Sequence, residues 1–503
     1  MNKSLKFTID RNQSTTFNNQ ALFCIGTGRM HLALQKEYYE QLRKVQEEIG
    51  FSHIRGHGLF CDDLAIYQTY EENGEEKVEY NFTYLDRVFD TYRSLGLKPF
   101  VELGFMPDKL ASGTQTIFYW KGNTTPPKDY TRWAELVKAV ITHWISRYGR
   151  EEVVTWPFEV WNEPNLPGFW ENADMEEYFK LYEISSKAVK SCDARIRVGG
   201  PAICGVDDVR WLKCFLNYCS EHRTPLDFVT RHAYATESPE RNGHYDYQLL
   251  RDPKDFIMEL RESRLIIDSY PEYTGMEMHI TEFNTSYTPL NPIHDTNLNA
   301  AYIARLLSEM GDVCASYSYW TFGDVFEEAG VSFTPFSGCF GLLANGSIQK
   351  PTYWAFSFFK DLGTKAVARN EYFIITKDDQ NNFHGVAWNP EEGKVDCELT
   401  LDFTIDTDDG EYVLIRKLVD EDVCNPLKTW IDLGEPANPN EQQLALLRAA
   451  ACPQLRTRRF EVIDGKAAFQ IPLSSNALCY FELRRIIPER DRGFLPERVR
   501  GAR

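Results

Sequence analysis

From residue 21 onward, short apolar runs that end in glycine or polar residues alternate with longer segments whose apolar residues recur every three or four positions. The short runs read as buried strands and the longer segments as amphipathic helices. Eight rounds follow one another, with strands expected at 22–25, 53–58, 99–104, 158–164, 197–202, 227–234, 276–284 and 316–322. Helices are expected at 35–49, 82–95, 130–148, 175–192, 207–220, 255–269, 295–310 and 353–362. Eight strand–helix units predict an α/β fold, a (β/α)8 TIM barrel whose active site lies at the C-terminal ends of its strands. After residue 362 the period shortens to two: runs within 366–388, 395–404, 411–419 and 459–484 are punctuated by Gly, Asn and Asp and predict a C-terminal β-sandwich. One helical segment is expected within 438–455, and 406–410 reads as a turn rather than a calcium loop. The expected organisation is an N-terminal segment at 1–18 that pairs with the sandwich, a barrel at 19–362, a sandwich at 363–485 and an arginine-rich tail at 486–503.

The barrel rule directs attention to the strand ends. Phe158-Glu159-Val160-Trp161-Asn162-Glu163-Pro164 begins as a strand and ends in an Asn-Glu pair stopped by proline, and alternation places Glu159, Trp161 and Glu163 on one face. Met276-Glu277-Met278-His279-Ile280-Thr281-Glu282-Phe283-Asn284 delivers a second carboxylate three units later. Arg55, His57, Glu102, His232, Tyr234, Asn284 and Trp320 stand at other strand ends, and such convergence is more than a purely structural barrel needs. Two facing carboxylates divide labour when one stays protonated and the other ionised. Cleavage of a glycosidic bond requires this pair, an acid for the departing oxygen and a negative charge beneath the oxocarbenium-like transition state. Glu163 is the expected acid and Glu282 the expected nucleophile, with Asn162 placed to bind a sugar hydroxyl. Their separation decides between retention and inversion, and sequence does not measure it. Arg55 is expected to pair with Glu159, because a buried carboxylate needs a partner. His57 and His232 are expected to bind substrate hydroxyls; nothing resembles H-E-x-x-H, so no metal and no cofactor is expected. The stretch 320–328, with Trp320, Glu327 and Glu328, offers an aromatic platform with acids suited to clamping a sugar. Phe118, Trp120, Phe169 and Trp170 either wall the pocket or anchor their loops.

Composition narrows the partners. A net charge of -19 excludes nucleic acid and anionic membrane surfaces, leaving a small carbohydrate as the expected partner. No apolar run approaches the roughly 20 residues of a membrane span, and residues 1–8 carry no apolar leader core. The twelve cysteines are scattered without a C-x-x-C, which predicts reduced thiols and a cytoplasmic protein.

At this level of detail the chain resembles glycoside hydrolase family 39. The resemblance is carried by 158–165, by His279-Ile280-Thr281-Glu282-Phe283-Asn284 and by the Trp320 to Glu328 stretch. It extends to Gly26-Thr27-Gly28-Arg29, to 53–58, and to His294-Asp295-Thr296 with Asn299-Ala300-Ala301-Tyr302. Within the family the β-xylosidases are most similar. The resemblance implies a retaining exo-enzyme acting on short xylo-oligosaccharides, with Glu163 as acid/base and Glu282 as nucleophile. It implies that His57, Asn162, His232, Tyr234, Trp320, Glu327 and Glu328 contact the sugar, and that the chain forms a homo-oligomer such as a tetramer. Relatives acting on arabinosides, galactosides or α-L-iduronides, and a non-catalytic sugar-binding barrel, are the alternatives. The acidic, aromatic mouth favours a neutral pentose over a uronic acid.

Overall fold

The computed structural model describes residues 2–391, 393, 397–487, 489 and 495–499. Its parallel strands β1 (Cys24–Arg29), β2 (His53–His57), β3 (Lys98–Pro99 and Val101–Leu103), β4 (Pro157–Val160), β5 (Arg197–Ile203), β6 (Phe228–Tyr234), β7 (Met278–Asn284) and β8 (Ser316–Tyr319) follow one another around a single sheet. Strand β3 supplies both ends of that sheet: Lys98–Pro99 pair with β2 and Val101–Leu103 pair with β4. Between them the Phe100 N–H donates to the Ile54 carbonyl at 2.9 Å, so the ring closes through one residue. Helices α1 (Lys36–Glu48), α2 (Thr83–Ser94), α3 (Tyr130–Tyr148), α4 (Met175–Cys192), α5 (Asp208–His222), α6 (Pro253–Asp268), α7 (Asn297–Leu307) and α8 (Pro351–Lys360) cover the outside.

Local chemistry explains these elements. Helix α3 starts where the Asp129 carboxylate accepts from the N–H groups of Thr131 and Arg132, and it buries Trp133, Leu136, Val137, Val140, Ile141 and Trp144 along one stripe. Helix α7 is buried on nearly every face, from Asn297 to Leu307, because a β-rich layer covers the side that a barrel helix normally turns to water. Asn297 donates to the Asp420 carbonyl at 3.0 Å and Arg305 to the Glu371 carbonyl at 2.5 Å across this junction.

That layer consists of two packed sheets. Asn2–Ile9, Glu398–Asp406 and Lys466–Leu473 form one, and Thr15–Thr16, Lys365–Arg369, Phe373–Lys377, Phe383–Asn389, Ala477–Arg485, Gly410–Val419 and Gln454–Val462 form the other. Residues 2–9 pair in parallel with 398–405 along their whole length. Lys466–Leu473 alternates strictly between exposed and buried positions, with Phe469 and Ile471 joining Phe373, Leu401, Phe403 and Phe481 in the core.

The structure departs from the periodic pattern in several places. Strand β4 stops at Val160 rather than 164, since Trp161 and Glu163 take left-handed backbone angles, φ 71° and 44°. Alternation therefore fails there: the Trp161 indole turns to bond the Phe169 carbonyl at 2.7 Å and packs on Trp133 and Trp170 instead of sharing a face with Glu159. The sequence reading did not anticipate the hairpin Tyr67–Glu72 and Glu75–Tyr80, although its Asn73-Gly74 turn is the standard signal. Helix Pro426–Asp432, capped by Asn425 with proline in its first turn, was likewise not anticipated. Residues 395 and 396 of the strand expected at 395–404, and 488, 490–494 and 500–503 of the tail, lie outside the described residues.

Candidate active site

The C-terminal mouth of the barrel holds a cavity of about 730 Å³. It is lined by His57, Asn162, Glu163, Tyr234, Glu282, Trp320 and Glu328, with Phe118, Phe169 and Tyr287 among its walls. His232 stands behind Glu163: the pairing of β6 with β7 shifts register after Arg231, which sets His232 beside Glu282.

Arg55 organises the floor. Fully buried on β2, it donates from Nε to Glu159 at 2.5 Å, from Nη1 to Glu282 at 2.7 Å and from Nη2 to Asn162 Oδ1 at 2.9 Å, with Glu102 3.0 Å away. The expected pairing with Glu159 is present, yet the guanidinium serves three carboxylates rather than one. Burial alone would lower its pKa, but Glu159, Glu102 and Glu282 outweigh that and hold it above its ordinary value. Thr281 completes Glu159 by donating at 2.7 Å. Replacing Arg55 with methionine would leave these buried carboxylates without a cation. The variant is expected to lose about 3 to 5 kcal/mol in urea denaturation, and a loss under about 1 kcal/mol would contradict this role.

The two central glutamates have different surroundings. Glu282 accepts from Arg55 and, at 2.7 Å, from the Tyr234 hydroxyl, and His57 Nε2 is 3.4 Å away. Burial raises its pKa, opposed by Arg55, His57 and Tyr234, which favour the ionised form. Glu163 has His232 Nδ1 at 2.8 Å. Burial, reinforced by the charge of Glu282, holds its carboxyl well above the usual carboxylate range. Burial keeps both histidines neutral, pushing His57 down to about 3 and His232 well below its ordinary value. Glu163, His232 and Glu282 each place a donor atom within 4.8 Å of the others, a set that could hold a metal; Arg55 already supplies positive charge to Glu282 there. The two carboxyl groups thus stand close together in different settings, Glu163 biased toward its protonated form and Glu282 held by partners that favour its charge.

The remaining expected residues divide. Asn162 Oδ1 is held by Arg55 while its buried Nδ2 has no partner among the described residues, leaving it to donate to a ligand. Trp320 is buried beside His57, ring centroids 4.7 Å apart. Its indole fits only because β1 carries Gly26, where a Cβ would come within 2.4 Å of the ring. Glu328 faces the cavity with Oε1 3.8 Å from His57 Nε2. Glu327 is not among the residues lining the cavity, and its carboxylate pairs with Arg29. Phe118 and Phe169 are wall residues, whereas Trp170 packs behind Trp161. The Tyr119 N–H donates to the Glu328 carbonyl at 2.8 Å, joining the loops after β3 and β8.

A parallel eight-stranded barrel with two close, differently tuned carboxylates at its mouth defines the glycoside hydrolases that work by paired carboxylates. The chain matches the model of Glycosyl hydrolases family 39 over residues 5–468, and it belongs to that family. It is 47% identical over 486 residues to a beta-xylosidase of Geobacillus stearothermophilus, covering 96% of each chain. A beta-xylosidase of Caldicellulosiruptor saccharolyticus is 35% identical over 444 residues, 85% of this chain and 87% of that one. Among solved structures, a monomeric beta-xylosidase from Caulobacter crescentus CB15 superposes with a TM-score of 0.88 at 31% identity, covering 96% of this chain and 100% of that one. That relative overturns the expected homo-oligomer. Among the described residues no helix is long and apolar enough to cross a membrane.

Proposed function

We propose that this enzyme is a retaining exo-β-xylosidase that releases xylose from the non-reducing end of short xylo-oligosaccharides. The observation that carries the reading is the approach of Glu163 and Glu282 to within 4.8 Å at their donor oxygens, near the roughly 5 to 5.5 Å of retaining pairs and well short of the roughly 6.5 to 9.5 Å that leaves room for a water in inverting ones. In the first step Glu282 Oε attacks the anomeric carbon, the bond to the departing oxygen breaks, and that oxygen takes the Glu163 proton. A water then attacks the glycosyl–Glu282 ester, Glu163 recovers a proton from it, and xylose leaves with its β configuration. Arg55 and the Tyr234 hydroxyl keep Glu282 charged for the attack, and the Asn162 amide is free to bond the hydroxyl beside the reacting carbon, where such bonds strengthen in the transition state.

Trp320 and Glu328 would hold the sugar ring and its far hydroxyls. Glu328→Ala is expected to lower kcat/KM by about 10²-fold or more, whereas Glu327→Ala, acting only through Arg29, is expected to stay within about ten-fold; the reverse order would reassign the clamp. The β-xylosidases at 47% and 35% identity support xylose as the sugar, and the carboxylate-rich lining disfavours a uronic acid. The decisive experiment is a panel of aryl xylosides, arabinosides, glucosides, galactosides and iduronides, with the anomer released from the best substrate followed by NMR. β-Xylose as the first product supports the reading. An α anomer, or preference for another glycoside, overturns the mechanism or the sugar respectively, and binding without turnover would leave only a sugar-binding barrel. We place the enzyme in the cytoplasm, a reading supported by its twelve unpaired cysteines.

A further inference from the structure

Outside the cavity lining lies a second buried charge cluster that this mechanism does not use. Lys350, at the N-terminus of α8, has a fully buried side chain. Its ammonium lies 2.6 Å from Asp295 Oδ1 and 2.6 Å from Asp324 Oδ2, and it donates to the Cys339 carbonyl at 2.7 Å. The ammonium thus pairs by charge with both carboxylates and donates one hydrogen bond, to the Cys339 carbonyl. Both aspartates continue outward into backbone: Asp324 accepts from the Gly341 N–H at 2.7 Å, and Asp295 from the Gly338 N–H at 2.8 Å. Gly341 is confined to its place, because a Cβ there would come within 2.4 Å of Asp324 Oδ1.

The segment so gripped runs from 320 to 343 and carries Trp320, Glu328 and Phe340 into the cavity. Trp320 packs with Phe326, Cys339 and Phe340 in a cluster of its own, close to the chain that Lys350 and the two aspartates hold. Backbone bonds join the two ends of the loop, the Asp324 N–H to the Leu343 carbonyl at 2.9 Å and the Leu342 N–H to the Thr321 carbonyl at 3.1 Å, but residues 325–337 between them lie in no strand, so their shape depends on the ties at those ends.

We propose that Lys350, paired with Asp295 and Asp324, is a positioning residue for sugar recognition, fixing both ends of the loop 320–343 so that Trp320, Glu328 and Phe340 keep the shape of the sugar subsite. It touches neither substrate nor the reacting atoms and acts through the loop. The kinetic form of the inference rests on the β-xylosidase reading; its structural form does not.

Lys350→Met in the full chain removes the ammonium and keeps the stem. KM for an aryl β-xyloside is expected to rise about ten-fold or more while kcat changes by less than about three-fold, since Glu163 stands in the turn after β4 and Glu282 on β7 rather than on the loop. Hydrogen exchange is expected to accelerate at 323–343 and to remain at the wild-type rate in α3 and α4. Asp324→Asn keeps the side-chain shape and an acceptor for Gly341, and is expected to move both readouts the same way by less; it decides the matter if Lys350→Met does not fold. Unchanged KM with unchanged loop exchange overturns the proposal, as does a loss confined to kcat or a uniform rise in exchange across the barrel. If the wild type proves inactive on xylosides, the function reading fails alone: the exchange comparison still decides the positioning role, with KM taken on whichever glycoside the panel selects.

Discussion

Replacing Glu282 with alanine is expected to lower kcat/KM on aryl β-xylosides by about ten-thousand-fold or more, because the proposed nucleophile has no substitute at the mouth of the barrel. The nearest carboxylate able to reach the anomeric carbon, Glu163, is expected to lie on the departing side of the sugar. Added azide is expected to restore turnover of substrates with activated leaving groups, since the small anion fits the space left by the side chain, and the glycosyl azide formed should have inverted α configuration. Near-wild-type activity, or a β-azide product, would remove Glu282 from this role.

The second large effect belongs to Glu163 and depends on the leaving group. Glu163→Ala is expected to cut kcat/KM by about 10² to 10⁴-fold for xylobiose, whose departing oxygen needs a proton, and to spare aryl xylosides that leave unaided. Azide rescue in this variant should give the β product, because the attack then falls on the glycosyl–enzyme intermediate. The pH profile follows from the same group. The acid must be protonated, and burial with the neighbouring Glu282 holds its carboxyl well above the ordinary range; kcat/KM therefore falls as pH rises through its pKa, and this alkaline limb should vanish in Glu163→Ala. The acid limb reports Glu282, which must be ionised, and should persist. Equal damage to all leaving groups with an intact alkaline limb would make Glu163 a structural residue.

Much of the fold and of the site is legible in the sequence. The barrel strands and helices appear near their expected places because burial on one face imposes a period, and periods are visible in sequence; α3 and α4 fall at 130–148 and 175–192, where the apolar spacing placed them. The residues at the strand ends were legible for a related reason, since topology carries every C-terminal end to one mouth. The turn after Val160 was not legible. Nothing in Trp161-Asn162-Glu163 announces two left-handed residues, a conformation imposed by the packing of Trp161 on Trp133 and Trp170 and by the Glu163 N–H bonding the Ala202 carbonyl at 2.9 Å. The choice between Glu327 and Glu328 was not legible either, as a loop has no period and a single partner, Arg29, decides which acid turns inward. Lys350 was hidden most completely: a lysine beside a proline reads as surface, and its two aspartates lie 55 and 26 positions away in the chain.

The pairing of residues 2–9 with 398–405 sets a timetable for synthesis. On a ribosome adding about 5 to 20 residues per second, the segment waits roughly 20 to 80 s before its partner strand is made. All the barrel strands are complete in that interval, so the N-terminal strand must stay unpaired beside a finished barrel. Lys6, alternating with Leu5 and Phe7, and Lys3 at the start of the strand would discourage a neighbouring nascent chain from adding to it meanwhile.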